Sequence, residues 1–476
     1  MRPLLLSIAH HGRLPALALA VVTAAGCASF RPDYQRPATT LPEAYSSPAS
    51  TAAASDTWWT TFGDSQLDRL VAEALEKNQD LLAAAARVEE ARALAGVARA
   101  DQFPQVWVDG SGSRYRFSGD NPQFPPGIDL ENSTVRLTAN ASYELDFWGR
   151  YRNATAAARA ELLATEAGRQ NLRVGLTAGV VSAYFDLLGF DRQLAIARET
   201  LSSRQEAVRL QRLRFDAGTI SELDLAQAEA ELASTEATVP ALERALRQTE
   251  NRLGVLLGRV GGSVERSSGL DALVAPEVPV GLPSQLLARR PDVVAAEHSL
   301  VAANARIAVV RAAYFPSISL TAYAGSESQQ LSNLLGSGTG IWNLALGLIQ
   351  PIFQAGRTTR QLEAARAREQ QLVAGYLKAV QTAFAEVEDA LVARRTGATE
   401  REALARQVEA LDRARRLAQL RYEAGDSSYL EVLDAERSLF GAELSLTEAR
   451  RAELAAAVAL FKALGGGFKV AAPTTP

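Results

Sequence analysis

RFDAGTISELDLAQAEAEL, beginning at Arg214, returns as RYEAGDSSYLEVLDAERSLF, beginning at Arg421, an offset of 207 residues. The same offset carries Gly149-Arg150 onto Gly356-Arg357 and RLGVLLG, near residue 252, onto ALFKALG, near 459. Phe103-Pro104 recurs at Phe315-Pro316, an offset of 212, and NQDLLAAAARVEEARALAGVARA aligns with RPDVVAAEHSLVAANARIAVVRA. The chain is a tandem duplication whose first half is longer by five residues between its Phe-Pro and its Gly-Arg. Whatever fold it adopts uses one order of elements twice.

In each half a helix, over about 80–102 and again about 292–313, ends near the Phe-Pro, and two extended segments follow. In TVRLTANASYELDF, Val135, Leu137, Ala139, Ala141, Tyr143, Leu145 and Phe147 alternate with Arg136, Thr138, Asn140, Ser142, Glu144 and Asp146. That period of two makes a strand with one apolar and one polar face. Trp342, Leu344, Leu346 and Leu348 repeat the pattern, and the strand before them sets Ile318, Leu320, Ala322 and Ala324 against Ser317, Ser319, Thr321 and Tyr323. QVWVDGSGSRYRF alternates poorly and is placed as a strand mainly by the repeat.

Two settings suit these strands. In a soluble sandwich the apolar face meets another sheet; in a membrane barrel it meets lipid, and ~9–11 tilted residues suffice to cross. The connecting segments SGDNPQFPPGIDLENS and SESQQLSNLLGSGTG are polar and long enough for external loops, and charges on the second face suit a wet lumen. Four strands cannot close a barrel, and an open sheet edge is not tolerated in lipid, so a barrel requires several chains to share it.

No proline lies between Pro126 and Pro240 or between Pro351 and Pro473. Arg150 to Phe215 is 66 residues, and a continuous helix of that length extends roughly 100 Å. Val373, Tyr376, Val380, Phe384, Val387 and Leu391, spaced by three and four, predict helix-on-helix packing. A soluble coiled-coil rod would account for the helices and leave the strands unexplained. Each long helix should end at the Ala-Gly of RFDAGT or RYEAGD, where glycine takes a left-handed cap. A returning helix then starts, N-capped by Ser221 in the first copy and Ser427 or Ser428 in the second, with acidic residues in its first turn.

Composition removes other function classes. A chain of 476 residues exceeds the ~250–300 at which single cores stop growing, so two units or an elongated body is expected. A formal charge of −4 provides no basic patch to neutralise phosphates, which argues against nucleic acid as a partner. Cys27 is the only cysteine, so an intrachain disulfide or CxxC site is excluded. His298 is the only histidine after the first 26 residues, and any Ser-His-Asp set would have to use it. It lies in helical VVAAEHSLVAANA, where an ordinary helix residue is the simpler assignment. GVLLGRVGG lacks both the strand before and the Lys-Ser/Thr after a phosphate loop. No catalytic set, metal site or cofactor is expected.

Arg2 and Arg13 accompany LPALALAVVTAA, an apolar run too short to span a bilayer, which reads as a removable export signal. Ala24-Ala25-Gly26-Cys27 resembles a bacterial lipobox, in which Cys27 becomes the lipidated first residue; the alternative is an ordinary small residue beside a cleavage site. Ala28, in place of Asp, favours the outer membrane by the same resemblance.

Taken in order, Pro32-Asp33-Tyr34, WWTTFGDSQLDRLVAEALEKNQDL from Trp58, YELDFWGR from Tyr143, LPSQLLARRPDV from Leu282, QPIFQAGR from Gln350 and YLEVLDAERSLF from Tyr429 resemble the TolC family of outer-membrane efflux channels. The resemblance is to its lipoprotein subgroup of OprM-, CusC- and NodT-like proteins and covers nearly all of the mature chain. It implies an α+β membrane protein: a homotrimer sharing one twelve-stranded transmembrane β-barrel, four strands per chain, above a long periplasmic α-helical barrel, all built from the internal tandem repeat. The implied segments are a signal peptide at 1–26, a lipidated extended segment at 27–65, the first repeat at 66–258, an equatorial linker at 259–283, the second repeat at 284–465 and a tail at 466–476. The implied function is a passive, lipid-anchored exit channel of a tripartite efflux system, served by a periplasmic adaptor and an inner-membrane pump of the resistance-nodulation-division (RND) type. An outlet for type I protein secretion is the alternative on the same architecture; the lipobox and the RRPDV region favour efflux.

Leu430, Asp434 and Arg437 lie at i, i+4 and i+7, on one helical face. Spacing alone makes Asp434 and Arg437 an ordinary exposed pair worth a few tenths of a kcal/mol. The resemblance makes the three residues a periplasmic gate, where three copies of Asp434 would repel unless paired or hydrated. The first copy has Leu223, Gln227 and Ala230 instead, so the gate is expected mainly from the second repeat. Arg214, Gly218, Thr219 and Ser221, with Arg421, Gly425, Asp426 and Ser428, are either plain hairpin turns or, by the resemblance, the tips that dock the adaptor.

Overall fold

The computed structural model describes residues 30–39, 41, 42, 44–46, 55–120, 127, 129–281 and 283–467. The export signal and Cys27 lie outside them. In chain order the regular elements are α1 (Ser65–Lys77), α2 (Gln79–Ala100), β1 (Gln105–Arg116), β2 (Glu131–Glu144), α3 (Arg150–Asp216), α4 (Glu222–Leu256), α5 (Pro283–Arg289), α6 (Pro291–Ala312), β3 (Ser317–Ser328), β4 (Gly340–Ile349), α7 (Arg357–Ala424) and α8 (Tyr429–Ala463). The order of elements is the same in both halves, as the duplication requires. α3 and α7, of 67 and 68 residues, each extend roughly 100 Å at 1.5 Å per residue. The chain divides into two compact units whose boundaries fall after Pro37 and inside α2, α3, α6 and α7.

One unit (described residues within 30–37, 89–164 and 296–375) holds the sheet. Its four strands are antiparallel in the order β1-β2-β3-β4. Register places Val106 beside Ala141, Ala141 beside Ala322 and Ala322 beside Leu344, so one face carries the apolar set of all four strands. The other carries Asp109, Thr138, Gly325 and their neighbours. β1 alternates weakly because Gly110, Gly112 and Arg114 occupy apolar-face positions while Trp107 lies on the polar face. Where β2 leads into α3, Trp148 stacks on Phe315 at 4.9 Å, its Nε1 donates to the Pro316 carbonyl at 2.7 Å, and Phe30 stacks on Phe315 at 4.4 Å. Asp146 accepts from the Arg152 N–H at 2.9 Å, satisfying an amide that the first turn of α3 leaves free.

The other unit (described residues within 38–88, 165–295 and 376–467) holds the helical core. Trp58, Tyr184, Phe185 and Leu187 are buried there, and Trp58 stacks on Phe461 at 4.9 Å. Asp64 N-caps α1 by accepting from the N–H groups of Gln66 and Leu67, and also takes hydrogen bonds from Tyr184, Ser267 and Ser268. Burial alone would raise its pKa; these donors outweigh that and hold the carboxyl below its usual value. Tyr376, Val380, Val387 and Leu391 are buried along α7, and Phe384 stacks on Tyr45 at 5.5 Å. Pro240 sits within α4 without ending it.

The duplication reaches individual contacts. A Cβ on Gly258 would lie 2.3 Å from the Lys77 carbonyl oxygen, and one on Gly465 would lie 2.1 Å from that of Arg289. Both glycines have positive φ, 72° and 89°, so close approach and backbone conformation each demand glycine. Beside them, Asn78 Nδ2 donates to the Leu256 carbonyl at 3.0 Å and Arg290 Nη1 to the Ala463 carbonyl at 3.2 Å. Two different side chains close the same junction in the two copies.

Candidate functional site

The α3–α4 and α7–α8 turns are both Schellman caps. Gly218 (φ 71°) donates to the Phe215 carbonyl and Thr219 to that of Arg214, at 2.8 and 2.9 Å. Gly425 (φ 82°) and Asp426 make the same bonds to Tyr422 and Arg421, at 3.1 and 2.9 Å. The returning helices start differently. Ser221 and Asp224 form a reciprocal capping box, with Asp224 N to Ser221 Oγ at 3.2 Å and Ser221 N to Asp224 Oδ2 at 3.1 Å. Ser428 occupies the N-cap position of α8, yet neither it nor Ser427 caps through its side chain, which corrects the expectation for the second copy. The acidic partner, Glu431, instead takes a hydrogen bond from Arg421 Nη1 at 2.8 Å.

Between the hairpins lies a small core of Val208, Ala228, Tyr429, Val432 and Leu433, with Tyr422 packed against it. Arg214 Nη1 donates to the Tyr422 hydroxyl, its guanidinium lies 5.1 Å from the centre of that ring, and Gln211 Nε2 donates to the same oxygen at 3.1 Å. Arg214 therefore ties the first hairpin to the second, whereas Arg421 stays within its own. Burial pushes the neighbouring Tyr429 hydroxyl up to about 12, so it remains a neutral phenol.

On α8, Leu430, Asp434 and Arg437 share one face and remain exposed: Leu430 by 54% and the other two side chains by 63% each. Arg437 Nη2 pairs with Asp434 Oδ1 at 2.7 Å, and its Nη1 lies 4.0 Å from Glu231 on α4. Glu231 in turn pairs with Arg204 of α3 at 3.2 Å. Arg204 is buried, donates to the Glu231 carbonyl and to Thr235, and lies 5.4 Å from the centre of the Phe440 ring. The exposed Asp434 is thus the outer end of a charge chain that runs inward through Arg437 and Glu231 to a buried guanidinium.

Behind that chain, α3, α7 and α8 line a half-open polar pocket of about 250 Å³ that includes Glu199, Arg204, Asp412, Arg415, Glu436 and Glu443. Burial raises the Glu436 carboxyl above its usual value; Arg204 and Arg415 pull it back and Glu231 pushes it further up. Glu443 is raised for the same first reason.

Sequence reasoning missed Gln211, Arg204, Glu231, Tyr422 and Glu436. One signal was present: of the two differences between RFDAG and RYEAG, one is Phe215 for Tyr422, and the added hydroxyl is the atom that receives Arg214 and Gln211. His298 is half-buried on α6, and no cluster of three or more metal-ligating side chains occurs among the described residues.

Two segments, residues 70–259 and 282–466, each match the family model described as "Outer membrane efflux protein". The chain is 39% identical over 449 residues to the "Cation efflux system protein CusC" of Escherichia coli, covering 93% of this chain and 96% of that protein. It is 38% identical over 464 residues to the "Antibiotic efflux pump outer membrane protein ArpC" of Pseudomonas putida, covering 96% of each. Among solved structures, the open state of the MtrE outer membrane channel of Neisseria gonorrhoeae is similar with a TM-score of 0.84, at 34% identity over 93% of this chain and 99% of that one. The two family segments coincide with the two copies of the repeat, and sequence, element order and backbone agree over nearly the full length: the chain belongs to the outer membrane efflux protein family.

Proposed function

We propose that this protein is the passive exit channel of a tripartite efflux system: a homotrimer whose sheets form one twelve-stranded barrel in the outer membrane and whose helices form a duct in the periplasm. One observation carries the reading. The sheet has an apolar face and two unpartnered edges, a combination that hydrocarbon does not tolerate unless other copies close it. An inner-membrane pump, of the RND type, supplies the energy, and a periplasmic adaptor docks at the Arg214–Ser221 and Arg421–Ser428 turns. Leu430, Asp434 and Arg437 form the gate, with Asp434 and Arg437 of three copies ringing the axis. Cys27 carries a covalent lipid that holds the N-terminus in the outer membrane. No catalytic step or cofactor enters this reading, and cargo is selected upstream by the pump.

The relatives named for cation and antibiotic efflux support this reading over protein secretion. The test is purification in detergent followed by planar-bilayer recording. A trimer by light scattering with discrete conductance steps is expected; a soluble monomer without conductance overturns the proposal. Acyl-chain labelling of the wild type, absent in Cys27→Ala, tests the anchor separately.

A further inference from the structure

Moving β1 residues forward by 212 and β2 residues by 207 turns the pair Val106–Ala141 into Ile318–Leu348, and Val108–Ala139 into Leu320–Leu346. Both products are observed pairs of the second hairpin. The two hairpins are therefore equivalent residue for residue, with no slip. A third pairing, β2 with β3, joins the first half to the second. Its equivalent would join β4 to a β1, and within one chain β1 and β4 are the two ends of the sheet.

We propose that β4 pairs antiparallel with β1 of a second copy in the register obtained by applying the same offsets to the β2–β3 seam. Ala139–Ala324 becomes Leu346 opposite Gly112, Ala141–Ala322 becomes Leu348 opposite Gly110, and Ser142–Thr321 becomes Ile349 opposite Asp109. The bond from Leu145 N to the Ile318 carbonyl, 2.8 Å long, becomes one from Ile352 to Val106. This rests on the shared-barrel reading above and specifies which residues meet.

Three observations support that register. Backbone direction agrees: Phe117 N donates to Leu130 O and Glu327 N to Thr339 O, so odd-numbered residues of β1 and β4 face their partners inside the chain. Even-numbered residues then hold the free N–H and C=O groups, and the seam sets even against even. Pro351, which lacks an N–H, is odd and costs the seam no bond. Side chains also agree, because Leu346 and Leu348 lie on the apolar face with Gly112 and Gly110, large beside small. Finally, within one chain the end of the β2–β3 seam is covered by the stacking of Trp148 on Phe315. Ile352 and Phe353, which follow β4, are 88% and 87% exposed, and this register sets them opposite Val106 and Gln105 of the second copy.

Paired cysteines in the full-length chain test this. Directly opposed residues have Cα atoms ~4.5–5.5 Å apart, within disulfide reach, whereas a two-residue slip puts them beyond it. Ile349→Cys with Asp109→Cys should give covalent trimers on non-reducing gels after mild oxidation, at least tenfold above Ile349→Cys with Trp107→Cys or with Ser111→Cys. Leu346→Cys with Gly112→Cys reports the same register from the other face. The wild-type chain and the single variants set the background from Cys27. A native trimer that cross-links better through a slipped pair, or through none, overturns the register while the shared barrel stands. A wild-type chain that forms no trimer overturns both.

Discussion

Arg214, at the end of α3, donates to the hydroxyl of Tyr422, at the end of α7, while its guanidinium lies over the same ring. These residues are 208 apart in sequence, so the bond couples the two copies of the repeat at their turns. It also breaks their equivalence, since the counterpart of Tyr422 is Phe215 and the counterpart of Arg214, Arg421, bonds to Glu431 instead.

Tyr422→Phe restores the first copy's residue and deletes the oxygen that Arg214 and Gln211 share. The ring and its packing against Tyr429, 5.2 Å away, survive. The loss should be about 0.5–1.5 kcal/mol, the net worth of a hydrogen bond. Amide exchange through the last turns of α3 and α7 should therefore accelerate about two- to tenfold. Unchanged exchange would mean that the hydroxyl contributes nothing to holding the hairpins together.

The two returning helices make a matched pair of capping sites. Ser221→Ala removes one half of a capping box and should cost about 1 kcal/mol. Ser428→Ala removes a side chain that makes no cap bond and should be neutral. Exchange of the Asp224 amide should rise about fivefold in the first variant, while the Glu431 amide should not respond in the second. Equal responses would show that Ser428 caps in solution after all.

Asp434→Ala removes the outermost charge of the chain that runs through Arg437 and Glu231 to Arg204. If three such faces close the duct, the variant should raise mean conductance in planar bilayers severalfold. Cells expressing it should become more permeable to large antibiotics. Gln227→Ala, at the equivalent place in the first copy, should leave both measurements unchanged. A wild-type conductance in Asp434→Ala would remove these residues from the gate.

Much of this architecture was legible because the chain states it twice. Weak alternation in β1 mattered little once Phe103-Pro104 had been matched to Phe315-Pro316, and the long helices followed from period and the absence of proline. Pro240 shows the limit of that last signal, because α4 runs through it unbroken. The candidate site was readable only along single helices. Asp434 and Arg437 are three residues apart and fell to spacing, whereas Glu231 and Arg204 reach them across helix interfaces that no periodicity encodes. Ser428 was misread for a related reason: its sequence suits a cap, but Arg421 draws the acidic partner away into an ion pair across the turn.

Glu436 gives the fold a pH dependence whose sign follows from its surroundings. Burial among α3, α7 and α8 raises its carboxyl above the usual value of about 4.5, despite Arg204 and Arg415 nearby. A carboxyl that holds its proton more tightly folded than unfolded contributes stability that is fully present below the unfolded value. That contribution is lost as pH rises from there through the folded value. The helical hairpins should therefore weaken as pH is raised from about 4.5 towards neutrality, with Glu443, also raised by burial, adding to the slope. Glu436→Gln keeps the shape and removes one titration, so its stability should fall less steeply over that range and should match or exceed the wild type near pH 7. Denaturant unfolding of the full-length trimer, followed by helical circular dichroism at several pH values, measures this. Parallel curves for variant and wild type would mean that Glu436 is hydrated in solution and titrates as an ordinary surface carboxyl.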